Sequence, residues 1–201
     1  MYLERNFSMK NIVCFGDSNT YGYDPRAAFG TRYPDGTYWV DILHAKTGWK
    51  FWNMGVCGRE IPHTSFQIQT ACAELAAREP SADALWMMLG TNDLLSGEQI
   101  TAETVGLRME AFLTSLLNSF SVRKLRLITP VKMRQGTWTT SAVIEESEKL
   151  QPVFRSLADR LHISLTQTEG WEIPLAFDGV HFSEQGHRKF AENLLRDIPL
   201  L

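Results

Sequence analysis

Hydrophobic positions along the chain fall into two alternating patterns. Short continuous apolar runs are each followed by a longer stretch with apolar residues every third or fourth position. Ile12-Val13-Cys14 lies in the first run and predicts a strand over about 11–15. Trp39, Ile42 and Leu43 predict a helix over about 37–46, which Gly48 ends. Phe51-Trp52-Asn53-Met54 predicts a second strand, and Ile68, Cys72 and Leu75 a helix over about 65–78, stopped by Pro80. The unbroken run from Ala84 to Leu89 suits a central strand covered on both faces. Val105, Met109, Phe112, Leu116 and Phe120 mark a helix over about 101–119, and Leu125-Arg126-Leu127-Ile128 a fourth strand. Val153, Leu157 and Leu161 form the apolar face of a further helix that Pro152 interrupts. Either that helix starts near Leu150 with Pro152 in its first turn, or one longer helix kinks there. Ile163-Ser164-Leu165-Thr166 is a fifth, weaker strand, and Ser183 caps a last helix with Phe190 and Leu194 facing inward.

Strands alternating with helices imply an α/β fold with a parallel sheet, helices on both faces and right-handed crossovers. In such folds ligands sit at the carboxyl ends of the strands. The exceptional polar stretches of this chain follow strands one, two and three, and another precedes the final helix, so all four can converge on one sheet edge. Two long loops, over about 21–35 and 129–140, flank that edge and carry Tyr21, Tyr23, Arg32, Tyr33, Met133 and Trp138. Trp171 and Phe177 lie near the last polar stretch.

Composition narrows the class. Apolar content of 44% and charged content of 21% are ordinary for a soluble globular protein, and a net charge of -3 with no basic stripe offers nucleic acid nothing. No apolar run reaches the roughly 18 residues of a membrane helix. Residues 1–6 lack the pattern of a signal peptide. Met9 directly precedes the first strand and is an alternative start, which makes residues 1–8 a loose extension and 9–201 a single domain. Cys14, Cys57 and Cys72 are odd in number and have no metal-ligand spacing; they read as reduced, buried small side chains of a cytoplasmic protein.

Covalent ester hydrolysis needs a nucleophile, a base in reach, a group orienting that base, and donors for the oxyanion. Ser18 lies where the first strand turns, with Asp17 beside it, and unpaired backbone amides gather at such a turn. His181 can serve as base, and Asp178, three residues earlier, can orient it. The backbone amides of Ser18 and Gly58 and the side-chain amide of Asn92 can meet an oxyanion. Each piece has a plainer reading. Ser18 can cap a helix, Asp178-Gly179 can be an ordinary turn, Gly58 a turn glycine, and Gly90-Thr91-Asn92-Asp93 a helix cap. Cys57 is a rival nucleophile, and His63 lies near enough to touch substrate.

Taken together, the chain resembles the SGNH hydrolase family, the GDSL esterases and lipases. The resemblance rests on Gly16-Asp17-Ser18-Asn19-Thr20, on Asn53-Met54-Gly55-Val56-Cys57-Gly58-Arg59, on Gly90-Thr91-Asn92-Asp93 and on Asp178-Gly179-Val180-His181, in family order. It implies a flavodoxin-like three-layer α/β/α sandwich with five parallel strands in the order 2-1-3-4-5. It also implies Ser18 as nucleophile, an oxyanion hole of Ser18, Gly58 and Asn92, supporting positions at Asp17, Arg59 and Asp93, and neither a metal nor an organic cofactor. The expected activity is hydrolysis of small acyl or acetyl esters, as in bacterial arylesterase-like and acyltransferase-like members. Sugar O-deacetylases, lysophospholipases and acyltransferases share these blocks. Tyr21, Trp138 and Phe177 are expected to line the substrate pocket. The expected partner is a small ester, with a homo-oligomer also open. A reading from another class is a flavin-binding module, with Ser18-Asn19-Thr20-Tyr21-Gly22 cradling a phosphate.

Overall fold

The structure, a computed structural model, describes residues 9–27, 31–97 and 100–197. The extension expected over residues 1–8 lies outside the described residues. The elements are β1 (Asn11–Gly16), α1 (Ser18–Tyr21), α2 (Trp39–Thr47), β2 (Lys50–Gly55), α3 (Ser65–Ala76), β3 (Ala84–Met88), α4 (Thr91–Leu95), α5 (Ala102–Leu116), β4 (Leu125–Ile128), α6 (Ser141–Leu161), β5 (Ser164–Thr166) and α7 (Glu184–Asp197). The sheet order is β2-β1-β3-β4-β5, with every neighbouring pair parallel.

Side chains alternate across this sheet. Ile12 and Cys14 enter one core layer while Val13 and Phe15 enter the other; Trp86 and Met88 likewise oppose Leu85 and Met87. Burial on both faces is why β1 and β3 read as continuous apolar runs. Leu75 of α3, Phe112 of α5 and Phe154 of α6 fill the first layer. Leu43 of α2 and Phe190 of α7 fill the second. The result is the α/β/α sandwich.

Strand order reverses beside β1, which has β2 on one side and β3 on the other, so the loops after β1 and β3 part there and leave a crevice. Gly16 is in register with Gly55 and with Met88, so the loops after β1, β2 and β3 begin at one level.

Several boundaries differ from the sequence expectation. The first strand runs one residue further, to Gly16, and α2 begins at Trp39. The helices expected over 65–78 and 101–119 end at Ala76 and Leu116. Pro152, by contrast, lies inside one helix that runs from Ser141 to Leu161, the longer of the two alternatives. It is exposed, so the Glu148 carbonyl it leaves unbonded faces the solvent side, while Leu150 and Phe154 hold the helix to the core from either side. The cysteines are also not all buried: Cys14 is, Cys72 is half-buried, and Cys57 is exposed in the turn after β2. Among the described residues no helix is long and apolar enough to cross a membrane.

One buried histidine makes the fold acid-sensitive. His187 of α7 is fully buried against the rings of Tyr33 and Phe182, and its Nδ1 accepts the Trp39 amide at 3.4 Å. Burial, with a smaller contribution from His181, lowers its pKa from 6.5 to about 3. The folded state keeps the ring neutral while the unfolded chain takes up a proton below about 6.5, so this stability is full above 6.5 and is lost as pH falls toward 3. Urea unfolding at stepped pH is expected to show His187→Leu with a dependence shallower by about 1.4 kcal/mol per pH unit between pH 6 and 4.

Candidate active site

At the end of β1 the chain turns straight into α1. Asp17 is the cap of this helix: its buried carboxylate accepts the Asn19 amide at 2.9 Å. Ser18 is therefore the first helical residue rather than the cap, and its own amide belongs to the leading turn, which has no carbonyl to serve within the helix. Burial pushes the Asp17 carboxyl up to about 6, against the lowering effect of the Asn19 amide and of His181.

The partner of Ser18 comes from the other end of the chain. His181 Nε2 lies 3.0 Å from Ser18 Oγ, and His181 Nδ1 lies 2.7 Å from Asp178 Oδ2. All three side chains are buried. Asp178 Oδ1 accepts the amides of Val180 and His181, both at 2.9 Å, which leaves Oδ2 aimed at the ring. Burial raises the Asp178 carboxyl, but the His181 ring and these two amides outweigh it and hold it below the usual carboxylate range. An ionised carboxylate only accepts. The ring proton therefore sits on Nδ1, and the Nε2 lone pair faces the serine hydroxyl.

Asn19 locks the two halves together. Its side chain donates to Val180 O at 3.2 Å and accepts from Phe182 N at 2.8 Å, one on each side of His181. The sequence reading gave this residue no role of its own. Its place beside Ser18 was the available signal, but its partners lie too far along the chain for local patterning to show. Its commitment here, with Thr20 buried, also stands against a phosphate cradle at Ser18-Asn19-Thr20-Tyr21-Gly22.

The other oxyanion candidates are carried by the turns that follow β2 and β3. Gly58, at φ +74°, holds a backbone conformation that strains other residues, and an added Cβ there would meet open space. Asn92 lies in the first turn of α4, a short helix the sequence reading did not assign, and donates one amide hydrogen to Arg59 O at 3.0 Å. Its second hydrogen has no partner among the described residues. Arg59 donates to the carbonyls of Gly16 and Met54 and lies over the Phe15 ring, tying the ends of β1 and β2. Asp93 is fully buried and accepts the Ile61 amide at 3.0 Å and Arg108 at 2.8 Å, fixing the segment that follows Arg59. Glu60, His63 and Asp93 come within ligand distance of one another, yet Arg108 already pairs with both carboxylates.

Of the aromatic residues expected at the pocket, Trp138 lies against His181, at 5.1 Å between ring centres, and Phe177 is exposed next to Asp178. The Tyr21 ring is covered by the Arg32 guanidinium at 4.2 Å. Tyr33 and Met133 are buried, and Trp171 packs on Phe190, so these three serve the core. Beside the Gly58 turn opens a cleft of about 450 Å³, with Cys57, Gly58, Arg59, His63 and Phe66 among its walls.

Residues 14–189 match the model of the GDSL-like lipase/acylhydrolase family. No curated protein sequence matches the chain. Among solved structures, an aryl esterase of M. smegmatis aligns with a TM-score of 0.81 at 22% identity, covering 94% of this chain and 98% of that one. A carbohydrate acetylesterase from Sinorhizobium meliloti aligns at 0.80 and 20% identity, over 94% and 98%. A candidate arylesterase from Agrobacterium tumefaciens aligns at 0.78 and 27% identity, over 95% and 100%.

Proposed function

Because the chain belongs to the GDSL-like lipase/acylhydrolase family, whose chemistry is carboxylic ester hydrolysis, we propose that Ser18, His181 and Asp178 act as its nucleophile, base and orienting group on small acyl esters. The observation that carries this is the continuous relay from Ser18 Oγ through the His181 ring to Asp178 Oδ2, at 3.0 and 2.7 Å.

His181 takes the Ser18 proton as Oγ attacks the ester carbonyl, and Asp178 stabilises the imidazolium that results. The amides of Ser18 and Gly58 and the free hydrogen of Asn92 receive the oxyanion. The alcohol leaves with the proton from His181, and water then attacks the acyl-serine by the same relay. Transfer of the acyl group to a sugar or other alcohol uses the same intermediate with a different acceptor. The three cysteines, none in a disulfide, suit a reducing cytosol.

The test is hydrolysis of p-nitrophenyl esters of rising acyl length. Activity is expected on acetate and butyrate and is expected to fall with longer chains; a protein inert on every ester sinks the proposal. Asn92→Ala is expected to lower kcat by about 10²–10³ with a smaller change in KM, since its hydrogen bond strengthens only as the oxyanion forms. Steady-state kinetics on the acetate ester check this, and an unchanged kcat removes Asn92 from the hole.

A further inference from the structure

Two aromatic side chains pack against the His181 ring. The Tyr23 ring lies 4.6 Å from it, centre to centre, tilted by 47°, and the Trp138 ring lies 5.1 Å away at 80°. Neither is a free flap. The Tyr23 amide donates to Ser18 O at 3.0 Å, and the Trp138 amide donates to Asp178 O at 3.2 Å. Each aromatic is thus fastened by its backbone to one of the groups that His181 itself bonds.

The second fastening is tight. Arg134 N donates to Gly179 O at 2.9 Å and Thr137 N to Phe177 O at 3.3 Å, so the segment before α6 runs along the Asp178 turn. A Cβ on Gly136 would come within 2.2 Å of the Asp178 backbone, so only glycine permits this approach. Tyr23 is also bridged to Arg32, which closes its loop.

Resting on the reading of His181 as base, we propose that Tyr23 and Trp138 are positioning residues. They form an aromatic clamp of two rings that fixes the imidazole against Ser18 and stabilises it when it becomes cationic. A positive ring beside an aromatic face is favoured by the quadrupole of that face, and this attraction grows only as the proton arrives. The clamp therefore acts on the transition state more than on substrate binding. Among the described residues, the charge of the His181 ring is felt by Asp178 in its own turn, by Asp17 at the cap of α1 and by His187 of α7.

The test compares wild type with Tyr23→Leu, Trp138→Leu and Tyr23→Phe. Leucine keeps apolar bulk without the ring, and phenylalanine keeps the ring. The first readout is the rate at which a fluorophosphonate labels Ser18, followed by intact mass, because labelling needs the base but no particular natural substrate. Labelling and kcat on p-nitrophenyl acetate are each expected to fall about fivefold in both leucine variants, with KM within twofold. The acid limb of the kcat/KM profile is expected to move to lower pH, and Tyr23→Phe is expected to restore both. Wild type that labels while the leucine variants label equally fast overturns the clamp alone. Leucine variants that change KM and acyl-length preference, with the labelling rate and pH profile unmoved, also overturn it and make these residues pocket walls. Wild type that does not label overturns the esterase reading and the clamp with it. Trp138 is 52% exposed, so its replacement tests the clamp even if Tyr23→Leu fails to fold.

Discussion

Ser18→Ala is expected to lower kcat on p-nitrophenyl acetate by about 10⁶. The substitution removes one oxygen whose partner is His181 Nε2 at 3.0 Å, and leaves Asp17 capping α1 through the Asn19 amide. The fold and the oxyanion donors should therefore survive intact. What remains is the catalysis that binding and those donors give alone, about 10³–10⁴ over water. Initial rates at high enzyme concentration, with circular dichroism to verify folding, measure the loss. A loss under about 100-fold points to a second nucleophile, and the exposed Cys57 beside Gly58 is the group to remove next.

Asp178→Asn should cost about 10⁴ in kcat, and the geometry says why. Oδ1 is held by two backbone donors, Val180 N and His181 N. An asparagine keeps its carbonyl oxygen facing those donors and turns its amide nitrogen toward His181 Nδ1. That nitrogen donates, so Nδ1 must accept and the ring proton moves to Nε2, where it faces Ser18. The base is then occupied by its own proton, although the heavy atoms have barely moved. Kinetics on the same ester test this, together with the ring-proton NMR signals that report the tautomer. A loss under tenfold, or an unchanged tautomer, refutes the argument.

Much of this arrangement is legible in the residues. The strand runs are unbroken because β1 and β3 are buried on both faces, and the four polar blocks stand at the sheet edge where such folds bind ligands. The parts that escape reading depend on distant partners or on direction. Asn19 looks like one more polar residue until Val180 and Phe182 come beside it. Pro152 leaves a short and a long helix both open, because sequence cannot say that it faces solvent. Cys57 looks buried by its apolar neighbours, whereas the turn after β2 carries it outward. Tyr23 and Trp138 read as aromatics of two separate loops, and only the folded chain brings both rings beside His181.

The Asn19 bonds to either side of His181 span 161 and 163 residues of sequence. Contacts of such separation close late in folding, because the entropy of a long loop must be lost before they form. A chain made from its N-terminus lays down the β1 turn long before the Asp178 turn exists. During that interval Ser18 is an ordinary hydroxyl without a base. Under the proposed mechanism the nucleophile is switched on only when Asp178 and His181 arrive, so an unfinished chain is expected to be chemically silent toward the esters around it.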